Sequence, residues 1–337
     1  MAAESDTDTS DHHEPLLEEG PKSRTVEVDG HRLKLTHLDK VMYPQTGTTK
    51  RDVINFYWQV APRLIEHAHD RPVTRKRWVD GVGTSDEPGE SFFQKNAGRD
   101  TPDWVPRVSI EYVRKTNEHP LVNEPAVLVW LGQTATLEIH TPQWRAYSTG
   151  RRHRPDRLVL DLDPGEGVEL TGCAQVALQA REVLADIGLD AVPVTSGSKG
   201  IHIYAPLDGS WTWKKASESA HRLAQSLEKE HADQVTTSMD RAERAGKVFI
   251  DWSQNNTNKT TVAPWSFRGR LRPTVAVPRL WEEIEDSQLR QLDHSEALER
   301  LNEPDPLSGA IGRLKRGCEP VPAGASSADQ LNTITVV

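Results

Sequence analysis

The sequence predicts an α+β fold, and three observations lead to that prediction. Helical segments and short apolar strands are mixed along the chain without strict alternation, which favours α+β over a doubly wound parallel sheet. No internal repeat or clear linker divides residues 23–303, so we expect them to form one domain. With 337 residues, of which 36% are hydrophobic and ten are tryptophan, the chain can bury a sizeable core.

Periodicity predicts the individual elements. Thr49 is placed to cap the first helix, and Gly188 follows the last apolar residue of the second. The predicted helices are TKRDVINFYWQVAPRLIEHA (49–68), CAQVALQAREVLADIG (173–188), KKASESAHRLAQSLEKEHA (214–232) and PRLWEEIEDSQLRQL (278–292). The predicted strands are LEIH (137–140), RLVLDLD (157–163), AVPVT (191–195), IHIYAPL (201–207) and KVFIDWS (247–253).

The two ends of the chain differ from this domain in composition. Residues 1–20 contain seven Asp or Glu and no Lys or Arg, so we expect 1–22 to be a disordered acidic tail. Small residues and prolines dominate the far end, which predicts a loosely packed tail over 304–337.

The net charge of −9 comes largely from the acidic tail, and the rest of the chain is close to neutral. Clustered basic residues in a near-neutral body can form a positive groove for nucleic acid; solvated basic faces are the alternative. The clusters are Arg71, Arg75, Lys76 and Arg77; Arg151, Arg152, Arg154 and Arg157; and Arg268, Arg270 and Arg272.

The sequence also argues against several classes of protein. No run of about eighteen apolar residues predicts a membrane helix, and the N-terminus lacks the pattern of a signal peptide. Cys173 and Cys318 fit neither a metal-binding nor a disulfide pattern. We therefore expect a cytoplasmic protein with two incidental thiols.

The segment LVLDLDPGEGV, residues 158–168, places two aspartates at the end of an apolar strand. Alternate residues of a strand share a face, so Asp161 and Asp163 project together while Leu162 faces the core. Two adjacent carboxylates repel each other unless a cation lies between them, and Mg²⁺ or Mn²⁺ prefers oxygen ligands. For an isolated D-x-D a surface turn is the alternative. An EF-hand is excluded because the later loop ligands are absent.

Asp251, in GKVFIDWSQNN, also ends an apolar strand. Standing alone it would indicate a turn or a helix cap. Together with the D-x-D pair it supplies the third carboxylate that a two-metal site needs.

Two further segments suit phosphate groups. The turn TSGSKG (195–200) combines Lys199 with glycines that free backbone N–H groups; it lacks the spacing and the following helix of a Walker A loop. A Gly-Ser hairpin turn is its simpler interpretation. Arg268 and Arg270 suit triphosphate oxygens. Phe92 and Phe93 are adjacent in a polar segment, so at least one can stack on a base unless both fill the core.

Three blocks, LDLDPGEG, TSGSKGIHIY and VFIDWSQN, closely resemble the catalytic motifs of the archaeo-eukaryotic primase superfamily, in the branch of bacterial ligase D polymerase domains. The resemblance runs from about residue 30 to 300 and includes LDKVMYPQTGTTK, RPVTRKRW and IHTPQWR. It implies a primase-polymerase core with mixed and antiparallel sheets flanking a central active-site cleft, and peripheral helices. Residues 27–30 read EVDG and the ligase motif K-x-D-G is absent, so we expect a stand-alone polymerase.

The resemblance implies a nucleotidyltransferase that adds nucleotides, with ribonucleotides preferred, to primer 3′ ends at short gaps or breaks with a downstream 5′-phosphate. The implied processes are gap filling, non-homologous end joining and base excision repair. The implied cofactor is Mn²⁺ or Mg²⁺ in a two-metal site. The implied partners are gapped or broken DNA, NTP or dNTP, a separate DNA ligase and end-binding repair proteins, at the nucleoid and away from membranes.

The resemblance also assigns roles to individual residues. The implied metal ligands and catalytic residues are Asp161, Asp163 and Asp251. The implied nucleotide-binding residues are His140, Ser196, Lys199, His202, Gln254 and Arg268. The residues implied to contact the 5′-phosphate or the DNA are Lys40, Lys50, Lys76, Phe92 and Phe93. Two features depart from the family pattern: His37 stands where Asn is expected, and DGVGTSDEPGES (80–91) is longer than in ligase-fused relatives.

Two other functions remain open at this point. A haloacid-dehalogenase-type phosphatase also begins with D-x-D after a strand, with the first Asp as nucleophile, although Glu166 stands where a Thr is expected. A non-catalytic DNA-end-binding module would use Lys40, Lys50 and the arginine clusters, and it would not need the three acids.

Overall fold

The computed structural model describes residues 14–311 and confirms the α+β prediction. The two largest sheets in this part of the chain have six and four strands. The helices are α1 (Lys50–Gln59), α2 (Ala61–Ala68), α3 (Pro125–Gln133), α4 (Leu170–Asp186), α5 (Trp213–Glu230), α6 (Trp281–Ile284) and α7 (His294–Glu299). The first eight strands are β1 (Ser23–Val28), β2 (His31–Thr36), β3 (Val41–Tyr43), β4 (Thr48–Thr49), β5 (Thr74–Arg77), β6 (Phe92–Gln94), β7 (Arg107–Tyr112) and β8 (Lys115–Pro120). The others are β9 (Thr136–Thr141), β10 (Arg157–Pro164), β11 (Val192–Thr195), β12 (Ile201–Pro206), β13 (Val235–Thr236), β14 (Val248–Asp251), β15 (Thr261–Val262) and β16 (Val277–Pro278).

The six-stranded sheet has the order β13-β14-β10-β12-β11-β16, and its central strand β10 is antiparallel to both neighbours. Leu158, Leu160 and Leu162 of β10 belong to a buried core that also contains the apolar faces of α4 and α5. Since side chains alternate along a strand, Asp161 and Asp163 lie on the opposite face of this sheet.

The four-stranded sheet has the order β15-β9-β5-β6. Its strand β9 shares a large buried core with α1, α2 and α3, in which Phe56, Leu128 and Ile139 are fully enclosed. Val262 of β15 packs in a smaller cluster with Val159 of β10, on the face that carries Asp161. The polar face of the six-stranded sheet is therefore turned toward the four-stranded sheet.

The helix predicted over 49–68 is two helices, α1 and α2. Its start is as predicted, because the Thr49 hydroxyl accepts from the N–H of Asp52 and the Asp52 carboxylate accepts from the N–H of Thr49 at 2.7 Å. The helix is interrupted at Val60, and Pro62 occupies the first turn of α2. Proline has no N–H to continue the ladder, which is why the chain breaks here.

Two other helices differ from the prediction. The segment PAVLVWLGQ was not predicted as a helix, because α3 is apolar on every side and shows no helical period. The helix predicted over 278–292 is only the single turn α6, and its predicted first residue, Pro278, pairs instead with β11 as part of β16.

Parts of both predicted tails are packed against the domain. Leu17 is buried, and the amide of Asn55 in α1 exchanges hydrogen bonds of 2.8 Å with its backbone N–H and C=O. At the far end, the Asp305 carboxylate accepts from the Trp265 indole at 2.8 Å, and Leu307 is buried. Residues 14–22 and 304–311 therefore belong to the folded body, and the rest of both predicted tails lies outside the described residues.

Three arginines of the predicted basic clusters do not line a groove. Arg75 is buried, and its guanidinium donates to the carbonyl oxygen of Asn96 at 2.6 Å and lies 5.1 Å from the centre of the Trp130 ring. Arg71 and Arg157 are fully buried, and both guanidinium groups contact the carboxylate of Asp156. Burial opposes ionisation of Asp156, but the two arginines hold its pKa far below the usual range. These charges are enclosed in the core, so the basic-groove interpretation is wrong for Arg71, Arg75 and Arg157.

Within residues 14–311, none of the helices combines the length and the apolar character that crossing a membrane requires. Cys173 is buried in α4, with Sγ 3.7 Å from the carbonyl oxygen of Leu162. Cys318 lies outside the described residues.

Candidate active site

The centre of the site is a row of three side chains across three neighbouring strands. Asp161 of β10 is directly opposite Asp251 of β14 on one side and His202 of β12 on the other. Directly opposed residues project from the same face of a sheet, and so does Asp163, two residues further along β10. Backbone pairing thus brings together three acids that are up to 90 positions apart in the chain.

Short contacts connect the members of this row. Nε2 of His202 lies 3.3 Å from Oδ1 of Asp161. The side-chain amide of Gln254 donates to Oδ2 of Asp161 at 3.2 Å and to Oδ2 of Asp251 at 3.1 Å, so one nitrogen bridges the two carboxylates. The backbone N–H of Ser253 donates to Oδ1 of Asp251 at 3.0 Å.

The two carboxyl groups of the D-x-D pair differ in acidity. Burial opposes the ionisation of Asp161, but the charge and hydrogen bond of His202 outweigh it and keep the pKa of Asp161 below its usual range. Asp163 lacks that partner. Burial, and then the negative charge of Asp161, raise the pKa of Asp163 to about 6. The negative charge of Asp163 is therefore less well compensated than that of Asp161.

The donor set of this row suits a hard divalent cation. Three carboxylates share one face, and their mutual repulsion is what a bound cation would relieve. Oε1 of Gln254 is buried without a hydrogen-bond partner, so turning this amide over would add a fourth oxygen. No three His, Cys, Asp or Glu side chains among residues 14–311 are already gathered as tightly as a bound metal ion requires. The residues fit the ion in type and position, with side-chain adjustment.

The predicted phosphate turn begins directly after β11 and is tied to the row by a close backbone approach. The Ser196 hydroxyl accepts from the backbone N–H groups of Ser198 and Gly200, at 3.2 and 3.3 Å. Gly200 lies against β10, where a Cβ atom would come within 1.9 Å of the carbonyl oxygen of Leu162. Lys199 is exposed at the tip of the turn. Only glycine can hold this turn so close to the D-x-D strand.

A buried glutamate that is absent from the predicted site residues organises the opposite wall of the site. Oε2 of Glu138 in β9 lies 2.8 Å from Nε2 of His140, and Oε1 lies 3.4 Å from Nε of Arg268. Its carboxylate also accepts from the backbone N–H of Gly269 at 3.1 Å. Burial opposes ionisation of Glu138, but these partners lower its pKa to about 2. The available signal was the spacing Glu-x-His in a strand, which puts both side chains on one face.

Lys76 and Phe93 extend this wall to the edge of the four-stranded sheet. Lys76 of β5 is directly opposite Glu138 on one side and Phe93 of β6 on the other. The Phe93 ring meets the His140 ring edge-on, with centroids 5.5 Å apart, and it is 59% exposed. Phe92 points to the other face, against the guanidinium of Arg77. Both phenylalanines are exposed, so the alternative in which they fill the core is wrong.

A second positive site lies where α1 begins. The backbone N–H of Lys50 donates to the carbonyl oxygen of Lys40 at 2.8 Å, and the ammonium of Lys50 donates to Thr36 at 3.2 Å. Burial, with added repulsion from Lys40 and Arg77, lowers the pKa of Lys50 to about 8. Nearby His37 adopts a left-handed backbone conformation, φ 54°, which Asn tolerates better than most residues. The Asn that the family pattern leads us to expect there is consistent with this geometry.

The comparison with protein families decides what kind of domain this is. A family model described as LigD, primase-polymerase domain, matches residues 49–307. The chain belongs to the LigD primase-polymerase domain family. That range contains the aspartate row (Asp251, Asp161 and His202, with Asp163 beside them) and the phosphate turn. It also contains the Glu138 wall, which consists of Glu138, His140, Arg268, Lys76 and Phe93.

Related LigD proteins and a solved polymerase domain agree with this family. The chain is 45% identical over 302 residues to the multifunctional non-homologous end joining protein LigD of Mycolicibacterium smegmatis, covering 90% of this chain and 38% of that protein. For LigD of Mycobacterium tuberculosis the identity is 43%, with coverage of 90% and 42%. The chain thus spans about two fifths of these relatives. The polymerase domain from Mycobacterium tuberculosis ligase D, solved in complex with DNA, superposes with a TM-score of 0.78 at 46% identity, covering 83% of this chain and 98% of that one.

The structure groups the residues predicted for this LigD-type domain into two sets. Around the aspartate row it brings together His202 and Gln254; the positive charge of Arg268 also acts on Asp161, which links the Glu138 wall to the row. Lys40 and Lys50 form the separate set at the start of α1. Gln254, predicted to bind nucleotide, holds carboxylates here.

Proposed function

We propose that this LigD-type domain is a metal-dependent polymerase that adds nucleotides, with ribonucleotides preferred, to a primer 3′ end at short DNA gaps or breaks. The observation that carries the proposal is the register of β10, which aligns Asp251, Asp161 and His202 in one row with Asp163 beside them. The phosphate turn and the Glu138 wall, which includes Arg268, border the same row. Transfer of a nucleotide from a triphosphate requires such groups to bind the phosphates.

Asp161, Asp163 and Asp251 would hold Mn²⁺ or Mg²⁺, in a two-metal arrangement. When bound, such ions activate the attacking hydroxyl and neutralise the charge that develops on the phosphates. Cation binding by these aspartates is supported by the shared face of the three carboxylates. It is also supported by the raised pKa of Asp163, which burial and Asp161 cause.

The neighbouring side chains of the chain itself would bind the incoming NTP or dNTP. Lys199 at the exposed tip of the turn, and the guanidinium of Arg268, provide positive charge on two sides of the row. Ser196 shapes the turn through its hydroxyl. Nδ1 of His202 is buried without a hydrogen-bond partner, and a nucleotide oxygen would supply one. His140, held by Glu138, would meet the nucleotide from the opposite wall.

Lys40 and Lys50 would bind the 5′-phosphate on the far side of the gap. A phosphate contact of this kind positions the protein on DNA without reading sequence. Phe92 and Phe93 lie on the edge strand β6, where an exposed phenyl ring can stack on a base, and Lys76 lies on the neighbouring strand β5. The related solved polymerase domain is in complex with DNA, which supports this assignment.

The names of the relatives support a role in DNA repair. Because the LigD proteins that this chain resembles are described as non-homologous end joining proteins, we place the domain in DNA repair at the nucleoid, by end joining, gap filling or base excision repair. A separate DNA ligase and end-binding repair proteins would be its partners.

Primer extension tests this function. A gapped duplex with a 5′-phosphate is incubated with labelled nucleotide, with and without Mn²⁺, and both pyrophosphate and inorganic phosphate are measured. We expect extension and pyrophosphate release by the wild type and none by Asp161→Ala, which still binds DNA. Asp186→Ala, at the exposed end of α4, is the matched control. Phosphate release instead would indicate a phosphatase, and DNA binding without any product would indicate an end-binding module.

A further inference from the structure

The contact that leads to this inference is a salt bridge at the positive site. The carboxylate of Asp80 lies 2.6 Å from the ammonium of Lys40, with the Asp80 side chain 87% exposed. We propose that Asp80 is a specificity-determining residue. Its carboxylate pairs with the ammonium of Lys40 until a DNA 5′-phosphate displaces it. This inference rests on the proposed function of Lys40 and Lys50, and it adds a competitor to that site.

The charges around Lys40 explain why a carboxylate is bound there. Lys40 and Arg77 are both close enough to Lys50 for their positive charges to act on it. Lys50 is buried and directs its ammonium to a backbone carbonyl, so it is not neutralised by its own contact. The Asp80 carboxylate therefore offsets part of the repulsion in this group while the DNA is absent.

The position of Asp80 lets its side chain leave without disturbing the fold. It is the first residue of the long segment 80–91. Next to it, Gly81 is anchored by a hydrogen bond of 3.1 Å from its N–H to the carbonyl oxygen of Trp78. The backbone is thus held while the carboxylate projects into solvent. An exposed ion pair of this kind is weak, so a phosphate that carries more charge can replace the carboxylate.

Displacement affects the two kinds of DNA end differently. A 5′-phosphate must replace the Asp80 carboxylate at the ammonium of Lys40, whereas a 5′-hydroxyl leaves the salt bridge in place. The salt bridge therefore weakens binding of the phosphorylated end and leaves binding of the hydroxyl end almost unchanged. Removing the carboxylate should increase the preference for 5′-phosphate.

The test measures the binding of two gapped duplexes that differ only in the 5′ group. The readout is the dissociation constant of the 5′-hydroxyl duplex divided by that of the 5′-phosphate duplex, so a higher ratio means a stronger preference for the phosphate. In Asp80→Asn we expect the preference for 5′-phosphate to rise about two- to fivefold, which is the worth of an exposed ion pair. Asp86→Asn, in the same segment and with its carboxylate on Ser85, makes the same charge change and should leave the ratio unchanged. An unchanged or lower ratio in Asp80→Asn, or an equal rise in Asp86→Asn, would overturn the proposal.

Lys40→Ala separates this proposal from the one on which it rests. If Lys40 binds the 5′-phosphate, Lys40→Ala lowers the ratio, and adding Asp80→Asn to that variant has no further effect. If Lys40→Ala leaves the ratio unchanged, the assignment of the phosphate site itself is wrong. If Lys40→Ala lowers the ratio and Asp80→Asn alone does nothing, only the role of Asp80 fails.

Discussion

Glu138 and His140 are two residues apart on β9, and their side chains meet at 2.8 Å on the face that looks toward the aspartate row. The same carboxylate faces the guanidinium of Arg268 at 3.4 Å, so one buried acid orients two of the residues assigned to the nucleotide. Glu138 is thus a positioning residue that acts through its neighbours.

Replacing Glu138 by Gln should destabilise the protein at neutral pH. The folded pKa of about 2 lies below the ordinary value of 4.5, so the stabilisation is complete above pH 4.5 and is lost as the pH falls toward 2. We expect Glu138→Gln to lower the free energy of unfolding by about 1–3 kcal/mol at pH 7, and by less at pH 4. Urea unfolding measures this, with the exposed Glu111→Gln as control. The same loss at both pH values would contradict an ionised Glu138.

Gln254→Ala should make the protein more dependent on divalent cations. The amide donates to both Asp161 and Asp251, so removing it leaves two carboxylates in mutual repulsion. We expect a lower melting temperature without metal and a larger rise on adding Mn²⁺ than in the wild type. Thermal unfolding with and without Mn²⁺ checks this, and the exposed Gln288→Ala should behave like the wild type. An equal response to Mn²⁺ in Gln254→Ala would show that the amide does not relieve repulsion between these acids, and no response in either protein would argue against cation binding there.

Preference for a 5′-phosphate should decline as the pH rises through about 8. Burial is the main cause that lowers the pKa of Lys50 to about 8, so this ammonium is charged below that pH and neutral above it. Above the midpoint, the preference should fall by up to about tenfold per pH unit, measured by binding of phosphorylated and hydroxyl ends. Lys50→Ala should show a weaker preference without this midpoint. A preference that stays constant from pH 7 to 9 would show that the charge of Lys50 does not contribute to binding the 5′-phosphate.

Gly200→Ala should loosen the phosphate turn from β10. Its new Cβ atom would lie 1.9 Å from the carbonyl oxygen of Leu162, which is backbone and cannot rotate away. We expect a loss of about 1–3 kcal/mol in unfolding free energy, with weaker nucleotide binding. Gly98→Ala meets only the end of the Gln94 side chain at 3.3 Å and should cost little. Equal stability of the two variants would show that the turn can move without cost.

The sequence predicted the parts of the site that depend on local pattern. Asp161 and Asp163 follow from strand alternation, and the capping of α1 follows from Thr49 and Asp52. The pairing of Asp251 with Asp161 is a long-range relationship. Their similar strand ends and the resemblance to a family suggested that they lie together, but periodicity could not show their register.

The failures of prediction have physical causes. α3 is buried on all sides, so the alternation of apolar and polar residues that reveals a helix is missing. Arg71 was grouped with basic surface residues because sequence does not show that Asp156, 85 positions away, neutralises it in the core. Glu138 was overlooked because a buried carboxylate is recognisable only once its cationic partners are seen.

The order of the strands along the chain determines when the aspartate row can assemble during synthesis. β10 and β12 leave the ribosome first, so Asp161 can meet His202 while β14 is still untranslated. The Asp251 side of the row is added only when the strand ending at residue 251 pairs with β10. A nascent chain that ends before residue 251 therefore lacks the third acid, and the complete row can form only late in translation.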